Sequence, residues 1–406
     1  MHPKNIQIED YNYALPDEKI ALFPLRERDA ARLLVYKSGT IQDRTFKEIG
    51  AALPAESLLV YNQTKVVHAR LYFKKPTGGK VEVFCLEPDS RYADVPTAMA
   101  MRGEVYWRCM IGGASKWKQG QVLILERQNL EVYAERVANV DGTWLLRLFW
   151  NDATLSFAEV LERAGNVPLP PYINREATAD DEASYQSVFA RESGSVAAPT
   201  ASLHFTEGLL ARLKESGIHT QSLTLHVGAG TFKPVSAETM EGHDMHAEWM
   251  EVSRTTLNRL LEKLRASKPI IALGTTSCRS LESLFWIGWQ LLNGIAIEDG
   301  SIAVSQWLPY EQGEVDLKPI DALEAILAHL DQKNAQKLVL RTQIIIAPGY
   351  QFRMINGLIT NFHQPKSTLL LLVSALVGEG WRKIYDHALR NDYRFLSYGD
   401  GSLLLP

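Results

Sequence analysis

The chain has 406 residues, 46% hydrophobic and 22% charged, with 43 basic and 47 acidic side chains giving a net charge of −4. This composition excludes the disordered, collagenous and coiled-coil classes. It also excludes a uniformly basic nucleic-acid binder, while leaving open a nucleic-acid ligand held by a local basic patch.

Two strand-like runs, ARLLVYK and SLLVYNQT, lie in the first 70 residues. From about residue 71 to 149 the texture changes to short β-prone runs (VEVFCLE, EVYWRCMI, QVLILER, LEVYAERV, WLLRLFW) separated by GG, GAS, QG and DG turns. Such spacing predicts a small all-β barrel or sandwich. Beyond residue 150 helices alternate with strands. Thr206 is placed to cap EGLLARLKES, and Gly217 to end it. RTTLNRLLEKLRAS puts Leu257, Leu260, Leu261 and Leu264 on one face. PIIALG is a buried strand, TTSCRSLESLFWIG a helix, and Ser367 caps the apolar STLLLLVSALVG. The expected fold class is therefore α/β (α+β): a body formed by residues 1–70 and 150–406, with an inserted β-barrel domain at 71–149. Residues 299–338 read as a further insertion, either an elaborated surface connection or a substrate lid.

No apolar run reaches the roughly 18 residues of a membrane span, and MHPKNIQIEDYNY has no signal-peptide core, so a cytoplasmic protein with no membrane partner is expected. Cys85, Cys109 and Cys278 are widely spaced, which fits neither a disulfide framework nor a structural zinc site. No nucleophile elbow, Walker loop or HExxH motif occurs.

Chemistry-bearing residues concentrate instead in loop-like segments: VPLPPYI, SVAAPTASLHF, LHVGAGTFKPV, GHDMHAEW, GTTSCRSLES and TNFHQPKST. Five of the ten histidines fall there: His204, His226, His243, His246 and His363. Each alone reads as a bonded loop or core histidine, but together they suggest a pocket that handles protons. His243 and His246 with Glu248 lack a third ligand at a diagnostic spacing, so no metal is expected. Gly274, Thr275 and Thr276 open a helix whose first N–H groups suit an anion, and Arg279 one turn on offers a fork. A plain cap with a surface arginine is the competing reading.

In this order, these segments closely resemble the S-adenosylmethionine:tRNA ribosyltransferase-isomerase family of queuosine biosynthesis. The opening YNYALPDEKIALFPLRERDAARLLVY, LVYNQTKVVHARL, TGGKVEVFCLE, APGYQF and YRFLSYGD extend the likeness across nearly the whole chain. Ser202 replaces a usual glycine, Lys65 departs from NxTRV, and the SYGDGSLLLP ending replaces SYGDAM.

The resemblance implies that the ribosyl part of S-adenosylmethionine is transferred to 7-aminomethyl-7-deazaguanine at the tRNA wobble position and isomerised. Epoxyqueuosine-tRNA forms, and adenine and methionine leave. It implies an α/β body with an inserted β-barrel, S-adenosylmethionine as co-substrate with no other cofactor, and tRNA as partner; a monomer is expected. A paralogue using another acceptor and an inactive RNA-binding protein are the alternatives. His204 is expected as the base that removes a C5′ proton, His363 as the donor to adenine and Asn361 as an edge reader. Gly274, Thr275, Thr276 and Arg279 are expected to hold the methionine carboxylate, with His226, Gly228, Gly230 and Thr200 also binding substrate. Lys74, Lys75, Lys80, Arg102, Arg108, Lys116 and Lys118, interleaved with Trp107 and Trp117, are the candidate RNA patch.

Overall fold

The computed structural model describes residues 2–75, 77–118, 120–140, 142–228 and 235–406, with the side chain of Lys116 left out. Eighteen strands are described. They are β1 (Arg32–Lys37), β2 (Thr40–Thr45), β3 (Leu58–Asn62), β4 (Thr64–Val66), β5 (Arg70–Lys74), β6 (Lys80–Pro88), β7 (Glu104–Gly112), β8 (Leu123–Arg127) and β9 (Leu130–Val140). The others are β10 (Thr143–Trp150), β11 (Glu192–Ser195), β12 (His219–His226), β13 (Glu248–Ser253), β14 (Ile270–Leu273), β15 (Ile302–Val304), β16 (Lys337–Thr342), β17 (Gly357–Asn361) and β18 (Gly401–Leu405).

Ten strands form one mixed sheet in the order β15-β16-β13-β12-β3-β14-β17-β18-β1-β2. At its centre β12, β3, β14 and β17 run parallel. Strands buried on both faces need continuous apolar sequence, and β14 is uniformly buried while IIAL supplies it. The parallel run matters for function: in such sheets ligands gather outside the carboxyl ends of the strands. Here those ends deliver His226, Gly274 and Asn361 to one edge of the sheet.

The helix caps read from the sequence are in place. Thr206 Oγ1 accepts from Leu209 N at 3.1 Å, Gly217 is left-handed at φ 76°, and Ser367 Oγ accepts from Leu370 N at 3.2 Å. The helix Arg254–Arg265 buries Leu257, Leu260 and Leu261, and the helix Thr275–Leu292 is buried over most of its length.

Strands β5 to β10 close into an antiparallel barrel in the order β10-β7-β6-β5-β8-β9. Alternation of buried and less buried residues, as in Lys80–Pro88, fills its interior with Leu71, Phe73, Val83, Cys85, Cys109 and Leu146. Trp107 and Trp117 are both buried in this interior, so neither offers a stacking face. All three cysteines are free and buried.

Residues 299–338 add to both the sheet and the main core of the body. Strand β15 extends the sheet edge, and the helix Pro319–Gln332 buries Ala322, Leu323, Ile326 and Leu330 in the main core. That helix approaches Thr275–Leu292 so closely that a Cβ on Gly288 would sit 2.2 Å from Ala322 O.

Candidate active site

The carboxyl ends of β14 and β17 open onto a cavity of about 90 Å³, with Gly274, Thr275, Thr276, Thr200, Asn361 and His363 in its wall. Tyr172, Ser397, Gln364 and Thr368 line it as well and carried no signal in the sequence beyond lying in loop segments. Tyr172 and Ser397 are joined hydroxyl to hydroxyl at 2.6 Å, and burial pushes the Tyr172 phenol up to about 12.

Gly274 ends β14 at φ 87°, a conformation that favours glycine, and its N–H bonds Ile359 O at 2.8 Å. The helix that follows has no side-chain cap. Its opening N–H groups are therefore available to a ligand. Thr276 Oγ1 and Ser277 Oγ are buried beside it without a hydrogen-bond partner among the described residues. Buried hydroxyls left unpaired in this way favour a ligand that satisfies them.

Asn361 and its neighbours form a relay. Thr200 Oγ1 donates to Asn361 Oδ1 at 2.9 Å, and Asn361 Nδ2 donates to His204 Nε2 at 3.3 Å. His204 therefore stands behind Asn361, packed 4.6 Å from the Phe46 ring and facing a separate small cleft with Arg28 and Arg394. The expected base does not reach the cavity. Desolvation pushes its pKa down to about 4, and the nitrogen nearest the cavity is already accepting from Asn361.

His363 is the histidine that lines the cavity among the described residues. Its Nε2 pairs with Thr360 Oγ1 at 2.8 Å, and its backbone is pinned by Tyr385 and Tyr13. Burial pushes its pKa down to about 4, so at neutral pH it acts as a neutral ring, not an imidazolium.

Arg279 is displaced from its expected place. One turn into the helix it points away from Gly274–Thr276 and lines a second chamber of about 220 Å³ with His243, His246 and Glu248. It ion-pairs with buried Glu248, and its Nε donates to Ile344 O at 3.1 Å. Its Nη2 is buried without a hydrogen-bond partner among the described residues. The two chambers share Thr368 and Leu369. Gln306, from the 299–338 segment, braces the chamber's loop through Met245 N at 2.8 Å and His243 O at 2.7 Å.

His226 is buried outside the cavity wall, its Nε2 4.0 Å from a Glu251 carboxylate oxygen. Its ring nitrogens have no hydrogen-bond partner among the described residues, and desolvation pushes its pKa down to about 4. Gly228 does not line the cavity, and Gly230 lies outside the described residues. Ser202 is buried with its hydroxyl bonded to Pro199 O, and its φ is not positive. No glycine is required there. Lys65 pairs with Glu162 at 3.5 Å. Among the described residues, no group of three or more His, Cys, Asp or Glu side chains could hold a metal ion.

The expected RNA patch is divided. Lys74 and Lys80 are exposed and directly opposite each other on β5 and β6. Arg108 is tied to Glu87 at 3.1 Å, and Arg102 bonds Thr154 O. Glu87 lies seven residues along β6 from Lys80, about 23 Å at strand rise. Lys75 has partners of its own, Lys118 is exposed, and the Lys116 side chain lies outside the described residues.

Residues 8–404 match the family described as Queuosine biosynthesis protein. The protein named S-adenosylmethionine:tRNA ribosyltransferase-isomerase in Cereibacter sphaeroides is 39% identical over 99% of both chains. Its namesake in Halothermothrix orenii is 37% identical over 98% of this chain and all of its own length. A solved S-adenosylmethionine tRNA ribosyltransferase from Thermotoga maritima is 26% identical, covering 98% of this chain and 100% of that one at a TM-score of 0.47. With a match running almost end to end, the chain belongs to the queuosine biosynthesis protein family.

Proposed function

We propose that this protein transfers the ribosyl moiety of S-adenosylmethionine to 7-aminomethyl-7-deazaguanine at the tRNA wobble position and isomerises it to epoxyqueuosine, releasing adenine and methionine. The observation that carries the reading is the polar cavity at the parallel-strand ends, where Thr200, Asn361 and His363 face an uncapped helix start. It works in the cytoplasm, as a monomer, with S-adenosylmethionine as co-substrate and no further cofactor.

The donor is larger than the first cavity and spans both chambers across Thr368 and Leu369. Its ribose hydroxyls take the free N–H groups of the helix start and the unpaired Thr276 and Ser277 hydroxyls. Its carboxylate takes the unpartnered Nη2 of Arg279. His363, neutral at working pH, donates an N–H to the departing adenine, and Asn361, held by His204, reads an edge of the base. The sulfonium acidifies the C5′ protons, so an adjacent base removes one before the aminomethyl nitrogen attacks.

Adenine release from S-adenosylmethionine, measured with and without precursor tRNA, tests the reaction. Release that requires this tRNA is expected; no release, or release only with another acceptor, overturns it. Arg279→Lys keeps the charge opposite Glu248 but loses the second arm. It should weaken S-adenosylmethionine binding about tenfold or more while leaving 5′-methylthioadenosine, which has no carboxylate, unaffected.

A further inference from the structure

A cleft of about 610 Å³ runs between the barrel and residues 166–177, with Arg70, Tyr72 and Lys80 on one wall and Pro170, Asn174 and Arg175 on the other. It lies one loop away from the catalytic cavity, since Pro170, Pro171 and Ile173 face the cleft while Tyr172 faces the cavity.

Three features stand in or beside this cleft. Lys74 and Lys80 are exposed, cross-strand partners, and neither has a carboxylate within ion-pair distance among the described residues. Like charges placed directly opposite destabilise a strand pair, so the pairing is costly until an anion arrives. Lys80 also sits 3.8 Å from the centre of the Tyr72 ring. Phe23, which packs on Arg175 of the cleft wall, is 58% exposed, and Leu22 and Leu25 are exposed as well.

The exposed ring is held on a rigid support. The Arg175 guanidinium lies 4.1 Å from the Phe23 centroid, and its Nε donates to Leu22 O at 3.0 Å. Arg175 is itself clamped by buried Asp181 through bonds of 2.6 and 2.8 Å. Burial raises the Asp181 pKa, but hydrogen bonds from Arg175, Thr178 and Tyr398 outweigh it and hold the carboxyl well below its usual range. An exposed aromatic on a fixed cationic platform, beside a trench and lysines with no carboxylate partner among the described residues, matches the requirements of single-stranded nucleic acid: a face to stack on and a cationic track for the backbone.

We infer that this cleft binds the single-stranded RNA flanking the modified nucleotide, with a base stacked on Phe23 and the backbone running past Lys80 and Lys74. The inference rests on the tRNA acceptor proposed above and locates where that acceptor docks.

The test is binding of an anticodon stem-loop RNA to the full-length protein over a salt series. Phe23→Ala should weaken binding about 5- to 140-fold, the range of one lost base–aromatic stack. Phe23→Trp should restore it and Phe23→Leu should not. Lys74→Ala with Lys80→Ala should lower the salt slope by about 1.4, the contribution of two phosphate contacts on a single strand. Melting temperatures checked alongside identify any variant that fails to fold. Wild-type affinity and slope in every variant would overturn the inference and leave the acceptor reading intact. Rescue by leucine as good as by tryptophan would also overturn it, pointing to an apolar protein contact instead. Failure of the wild-type protein to bind the RNA would overturn both.

Discussion

The sheet edge and the barrel surface use sequence distance in opposite ways. At the edge, Gly274 and Asn361 are scores of residues apart yet share one cavity, because neighbouring parallel strands deliver their carboxyl ends to the same side, and Thr200 joins them from a short turn outside the sheet through its bond to Asn361. On the barrel, Lys80 on β6 and Arg108 on β7 are closer in sequence, yet Arg108 pairs with Glu87 near the other end of β6, because an antiparallel meander sends successive residues up and down. Sequence proximity is therefore a poor guide to a site on the barrel, and loop position after a parallel strand is a good one.

The largest effect expected is at His363, the histidine that the edge delivers to the cavity. His363→Ala should lower single-turnover adenine release by roughly 10²–10⁴ with a melting temperature near wild type. His204→Ala, one layer behind, should lower the melting temperature more and turnover less. Equal kinetic losses in the two variants would erase the distinction between a residue on the cavity and one behind it.

Arg279 probes the same edge from the side. Removing its charge takes the arginine away from buried Glu248, which keeps another partner, and Arg279→Met should cost about 1–3 kcal/mol in denaturant unfolding. A loss below about 1 kcal/mol would mean that the pair is not a structural element of the second chamber.

Acid should act through the histidines that the edge has desolvated. His204 and His226 are both pushed from the usual 6.5 to about 4 by burial. The unfolded chain binds these protons near pH 6.5 and the folded chain only near 4. Their contribution is therefore complete above about pH 6.5 and is lost as pH falls towards 4. At pH 5 each costs about 2 kcal/mol. His204→Gln should flatten the stability profile between pH 7 and 5, and an unchanged profile would show that this ring is not buried neutral.

What was legible in the sequence follows from the same geometry. The caps at Thr206 and Ser367, the buried strand IIAL and the alternation of the barrel strands are local patterns with local causes, and each is present. The loop segments bearing Thr200, Gly274 and Asn361 were visible too. Side-chain direction was not. Arg279 lies within one helical turn of Thr276, yet its partner Glu248 comes from β13, and nothing in the spacing reveals that the pair turns it into a second chamber. His204 and His363 are equally conspicuous as letters, and only packing against Phe46 puts the first behind Asn361.

The smallest effect expected is also the one that most directly tests the barrel half of the comparison. Arg108 has its charge balanced by Glu87, and that carboxylate is approached by Arg341 at 3.6 Å as well. An arginine already paired releases few counterions from RNA, because its charge is balanced before the phosphate arrives. Arg108→Ala should therefore leave the salt slope of tRNA binding within about 0.3 of wild type, whereas each of Lys74 and Lys80 should contribute about 0.7. Measuring the three single variants side by side separates position from charge, since each removes one positive charge from the same barrel. Equal slopes for all three would mean that the barrel acts through its total charge and that the cleft beside Phe23 has no special claim on the RNA.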